Sequence, residues 1–151
     1  MPKLKVFTVC DKVIMDHLGV PSLIGIFQRM NIRLQDAPIP DNALAPVRWS
    51  IFTLWQHTPE EKDIEFVQLT EVFTPKGIKY AEVTSKFMIT KPGDLQSKNQ
   101  IEIFGLPISD EGFMRITLRL EGVDGSEADY QFAITHIPKE QNDENPPSIV
   151  Q

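Results

Sequence analysis

Apolar and polar residues alternate along most of the chain with a period of two, the spacing that puts every second side chain on one face of a β-strand. The clearest run covers 113–120, where Met114, Ile116, Leu118 and Leu120 share one side and Arg115, Thr117 and Arg119 the other. Tyr130, Phe132 and Ile134 alternate in the same way with Gln131, Ala133 and Thr135. Asp124-Gly125 lies between the two runs and is a strong hairpin-turn signal. A second turn is expected at Thr74-Pro75-Lys76-Gly77, where Pro presets φ and Gly supplies a positive φ. Further strands are predicted over 5–15, 23–34, 46–56, 64–74, 78–90 and 100–106, about eight in all. No stretch sustains a 3.6-residue period with caps. A short helical turn over 36–45 is an option that its prolines argue against. The fold class predicted is all-β, an antiparallel two-sheet β-sandwich of immunoglobulin-like or jelly-roll-like type with little helix. Uneven strand lengths and several long loops favour the sandwich over a barrel.

The 151 residues make one ordinary domain. Residues 1–138 are expected to form the sandwich, and 139–151, with a Pro-Pro pair and little apolar content, a flexible polar tail. Cys10 is the only cysteine, which rules out an intramolecular disulfide and a multi-thiolate zinc site. The opening residues show no signal-peptide pattern and no apolar run approaches a membrane span, so a cytoplasmic location is expected. The net charge of -6 is uneven. Residues 1–59 hold six Lys/Arg against four Asp/Glu, for +2, and residues 60–151 hold nine against seventeen, for -8. With no basic run or stripe, neither nucleic acid nor an anionic membrane surface is an expected partner.

Two segments carry a family resemblance. The first reads Cys10-Asp11-x-Val13-x-x-Asp16-x-x-Gly19-x-x-Ser22-Leu23-Ile24-Gly25-Ile26-Phe27. The second is Glu111-Gly112-Phe113-x-x-x-Leu118, followed by Gly125 and Phe132. Over roughly residues 4–137 the chain resembles a family of small prokaryotic β-sandwich proteins catalogued as a domain of unknown function. The resemblance implies the sandwich fold and brings no activity, cofactor or catalytic residue with it.

Candidate chemistry is sparse. Cys10 has no basic neighbour or helix N-terminus to activate it and reads as a small packing residue. No P-loop, dinucleotide fingerprint or G-x-S-x-G occurs, so an enzyme is not expected, and neither a catalytic residue nor a cofactor is assigned. If strands alternate in direction, one end of the sandwich collects acidic loops. Asp16, Asp63, Asp124 and Glu127 are candidates there for a Ca²⁺-type site, which needs six to eight oxygens. The strand 46–56 is apolar on both faces, with Trp49, Ile51 and Trp55 on one and Phe52 and Leu54 on the other. The Phe52/Leu54 face is therefore a candidate contact surface. Asp11 shares the side of Phe7, Val9 and Val13 in a regular strand, which would send a carboxylate among apolar groups. It is expected to be turned outward by a bulge, satisfied by backbone N–H groups or an arginine such as Arg29 or Arg48, or, as a third option, to be a functional acid. The function expected is a non-enzymatic binding or assembly module presenting loops or an edge strand to a protein partner or to itself, as a homodimer. The alternative is an ion- or small-ligand-binding sandwich using the acidic loop end, with a hydrolase as a third reading.

Overall fold

In a computed structural model that describes residues 1–33 and 39–138, the alternating segments form nine strands and one 3-10 turn. The strands are β1 (Lys3–Met15), β2 (Pro21–Ile26), β3 (Arg29–Arg33), β4 (Leu44–Gln56), β5 (Phe66–Phe73), β6 (Lys79–Phe87), β7 (Gln96–Pro107), β8 (Gly112–Leu120) and β9 (Ala128–Ile137), and the turn is Pro59–Glu61. One sheet has the order β2-β1-β4-β7 and the other β3-β9-β8-β5-β6. They pack face to face, so the sandwich expected from the alternation is the fold. The proposed tail 139–151 and part of the 36–45 segment lie outside the described residues.

The expected single strand over 23–34 is two strands in different sheets. β2 pairs with β1, while β3 pairs with the outer edge of β9, in parallel. The chain leaves the first sheet at Phe27, whose ring meets Phe132 edge-on at 5.2 Å, and the Tyr130 hydroxyl donates to the Phe27 carbonyl at 2.9 Å. That corner lets an unbroken apolar pattern serve two sheets, and it brings β3 to β9 running in the same direction. Every other strand pair is antiparallel.

Inward residues from both sheets make the core. Val9, Trp49, Ile51, Val72, Ile101, Ile103, Met114, Ile116, Phe132 and Ile134 form its larger part, and Trp55, Leu118 and Leu120 a smaller one. Each large apolar side chain fully buried contributes about 1.5–3 kcal/mol relative to exposure. Beside the two clusters lies a polar layer. Gln68, fully buried on β5, accepts hydrogen bonds from the Trp55 indole N–H at 2.7 Å and the Thr53 hydroxyl at 3.3 Å, and donates to the Thr70 hydroxyl at 3.0 Å. Those bonds from β4 to β5 tie one sheet to the other. A second tie forms at Gly105 on β7, whose carbonyl accepts from the Trp49 indole at 2.9 Å and from the Tyr80 hydroxyl of β6 at 3.1 Å. Only glycine suits that point. Its φ is +93°, and a Cβ there would lie 2.9 Å from the Tyr80 hydroxyl oxygen.

Candidate functional site

The first sheet carries a folded arm on its outer face. β1 pairs with β4 only as far as Cys10, opposite Ser50, and residues 11–15 pair with β2 alone. At the break, Gly25 takes a left-handed φ of +70°, and a Cβ on it would lie 2.8 Å from the Asp11 Cβ. Beyond this hinge the hairpin turns back. At its tip, the Gly19 carbonyl accepts a 2.7 Å hydrogen bond from the Lys98 ammonium, and Lys98 sits opposite Leu54 on the outer face. The arm thus starts over Ser50 and ends over Lys98, with Phe52 between them in the register. Asp16 shapes the tip, its carboxylate accepting from the Leu18 and Val20 backbone N–H groups at 2.8 and 2.9 Å.

This geometry corrects the expected Phe52/Leu54 contact surface. Phe52 is 1% exposed and Leu54 half-buried, on the face that the arm crosses from Ser50 to Lys98. The apolar surface moves outward onto the arm. Val13 and Leu23, directly opposed, are half-buried. On the other side Ile14, Ile24 and Ile26 are exposed, and Leu18 and Val20 stand open at the tip, Leu18 at 75%. β2 is also the outermost strand of its sheet among the described residues, so one row of its backbone groups has no described strand beside it.

Between arm and sheet lies a cleft of about 440 Å³, lined by Asp11, Lys12 and Val13 of the arm, Val47, Arg48 and Ser50 of β4, and Gln100 and Glu102 of β7. Asp11 is exposed at its rim, turned outward at the hinge. Arg48 pairs with Glu102 at 3.2 Å and sits 5.9 Å over the Phe104 ring. Such an exposed ion pair contributes little, on the order of 0–1 kcal/mol. Cys10 is fully buried beneath the arm. Burial pushes its thiol above the ordinary value and the Asp11 carboxylate raises it further, so the sulfur stays protonated and unreactive.

A second constellation lies at the end of the sandwich. The His57 ring on the turn after β4 is held on both nitrogens, by Glu61 Oε2 at 3.1 Å and by the Ser97 hydroxyl of β7 at 2.7 Å. The Thr58 backbone N–H and hydroxyl donate to Glu61 Oε1 at 3.2 and 2.9 Å, and the Met1 ammonium lies 3.2 Å from it. Burial pushes the Glu61 carboxyl up, but the bonds from Thr58, the ammonium and His57 outweigh it and hold the group below its ordinary value. With Glu61 ionised, His57 donates to it from Nδ1, and Nε2 shares a hydrogen bond with the Ser97 hydroxyl. Hydroxyl, imidazole and carboxylate in that order make the bonding pattern of a hydrolytic triad. Hydrolysis also needs an approach to the hydroxyl. Ser97 is 8% exposed, and the adjoining cleft of about 200 Å³ is lined by Met1, Lys3, Gln56, His57 and Thr58, not by Ser97. The ring is also packed against Phe66 and Phe87. The constellation ties the 57–61 turn to β7.

The four acids weighed for Ca²⁺ do not come together. Asp16 is committed to its own hairpin tip, Asp63 has a left-handed φ of +65° and pairs with Lys62 at 3.2 Å, and Asp124 and Glu127 are exposed in the turn before β9. Among the described residues no three His, Cys, Asp or Glu side chains gather as a metal site would require.

Neither known family models nor the curated proteins give a match to this chain.

Sequence reasoning passes over Gln68 and Ser97, and it does not pair His57 with Glu61. Two signals are present. Thr58-Pro59-Glu60-Glu61 has the spacing of a capping box, and that box forms. Gln68 and Thr70 occupy the inward positions of β5, in phase with Val72. The bonds that give these residues meaning span up to 40 positions of sequence.

Proposed function

We propose that this chain is a protein-binding and assembly module, not an enzyme, whose working surface is the free face of the β1–β2 arm and whose partner is a second copy of itself. The reading rests on one observation: Ile14, Ile24 and Ile26, with Leu18 and Val20 at the tip, stand exposed together on one element, whereas the other exposed large apolar residues, such as Ile64, Ile78, Phe104 and Phe113, fall on several different parts of the fold. Contiguous exposed apolar surface marks an interaction site. The outermost position of β2 adds backbone groups that a partner strand can pair with. No described helix is long and apolar enough to cross a membrane, and the single buried thiol suits a reducing compartment, so the proposal places the module in the cytoplasm. Nucleic acid is not its partner, given a net charge of -6 without a basic stripe.

Light scattering tests this. The chain is expected to be a dimer at micromolar concentration. Ile24→Lys with Ile26→Lys is expected to weaken association at least about 30-fold, the effect of losing a contact worth 2 kcal/mol, while the melting midpoint of the diluted monomer stays put. A monomer throughout the micromolar range would overturn the reading.

A further inference from the structure

We infer that the β1–β2 arm is an exchange element: in the dimer, each arm leaves its own outer face and lies across Phe52 of the other copy. The inference rests on the self-association proposed above and names how it is made.

Four features carry it. The arm is joined to the body at one hinge, because β1 stops pairing with β4 at Cys10 and Gly25 supplies a left-handed turn opposite Asp11. Its attachment is light. Among the described residues one hydrogen bond, from Lys98 to the Gly19 carbonyl, joins tip to sheet, and a cleft of about 440 Å³ lies between sheet and arm at the hinge end, beside Asp11, Lys12 and Val13. The surface that it covers is specific, since Phe52 and Ser50 are almost fully buried while facing away from the sandwich core. A second copy presents that same surface, so an arm that fits its own sheet fits its neighbour's without any new complementarity.

The fourth feature is what exchange adds. In a two-fold exchange the hinges of the two chains cross near the axis. Ile24 and Ile26 flank the hinge glycine and are exposed in the single chain. Crossing hinges bring them against their copies, which gives apolar residues at the hinge a partner that the self-docked arm lacks. The contacts beneath the arm are the same in both forms, so concentration and the hinge contacts decide between them.

Cross-linking between differently marked chains tests this. One chain carries Leu18→Cys at the arm tip. The other carries Gln96→Cys, exposed and two residues along β7 from Lys98. Both also carry Cys10→Ser, which removes the native thiol. The two are mixed in equal amounts, partly denatured and refolded together, and treated with a short bis-maleimide. Exchange is expected to give a covalent Leu18→Cys–Gln96→Cys heterodimer on a denaturing gel, from up to about half of the dimers, the statistical share in a random mixture of two-fold pairs. A chain carrying both cysteines reports the other outcome. If it closes only within itself while light scattering still shows a dimer, exchange is overturned and the dimer stands. If light scattering shows a monomer, the exchange and the reading beneath it fall together.

Discussion

Replacing Gln68 by leucine keeps the volume of the side chain nearly constant and removes the acceptor that the polar layer is built on. The Trp55 indole N–H, 1% exposed as a residue and bonded at 2.7 Å, is then left in the core without a partner. A buried donor stranded in this way costs about 1–3 kcal/mol. The Thr53 and Thr70 hydroxyls lose bonds of 3.3 and 3.0 Å, but a hydroxyl rotates and can turn to a nearby backbone carbonyl, so they add less. The leucine recovers part of the loss through added apolar burial. A net destabilisation of about 1–3 kcal/mol follows, and a chain of this size loses about 2–4 °C of melting midpoint per kcal/mol. Urea or thermal unfolding followed by tryptophan fluorescence measures it. The sharper readout is the cycle with Trp55→Phe. That substitution removes the stranded N–H, so it should cost at least about 1 kcal/mol less in the Gln68→Leu chain than in the parent. Parent-like stability for Gln68→Leu, or two substitutions that simply add, would show that the indole is satisfied elsewhere and would refute the cross-sheet tie.

The remaining expectations concern the end of the sandwich and the hinge. Glu61 titrates below its ordinary value in the folded chain, so its ionised form stabilises the fold above about pH 4.5 and that contribution is lost as pH falls through the lowered folded value. The melting midpoint of the parent should therefore drop more steeply on acidification than that of Glu61→Gln, and parallel curves would count against the Thr58–Glu61–His57 arrangement. Gly25→Ala should loosen the arm, since a left-handed residue with a Cβ costs about 1–2 kcal/mol and the hinge has no room for one. Hydrogen exchange should speed up in β2 with little change in β8 and β9, and unchanged exchange in β2 would deny the hinge its special backbone. Cys10 should react with a thiol reagent far more slowly in the folded chain than in denaturant, because it is buried and its pKa is raised. Equal rates would mean that the arm does not cover it.

Much of the sandwich is legible in the sequence because alternation is local. Met114 to Leu120, the Asp124-Gly125 turn and Tyr130 to Ile134 form β8, the turn and β9 as expected. The corner at Phe27 is not legible, because alternation is the same on either side of a sheet change and only the contacts with Tyr130 and Phe132, more than 100 positions away, mark it. Phe52 misleads for a related reason. Its face is apolar because something covers it, but the cover is a hairpin whose fold-back depends on Gly25, and a glycine inside a strand-like run signals a bend without saying where the bend leads. Asp11 stands out by its conflict with a regular strand, and that conflict marks the place where β1 stops being regular.

Two greasy plates pressed together have little to stop one slipping past the other, since an aliphatic group that slides off one neighbour soon meets another like it. The Gln68 amide and the Gly105 carbonyl act as teeth between the plates. A shift of β5 along β4 by a single residue pair would move Gln68 away from both Trp55 and Thr53, and a similar shift of β6 against β7 would pull Tyr80 off Gly105. Buried polar contacts of this kind select one arrangement more than they strengthen it. A variant with the whole polar layer replaced by well-fitted aliphatic side chains can match the parent in melting temperature and still broaden its NMR lines, because alignment, not adhesion, is what was removed.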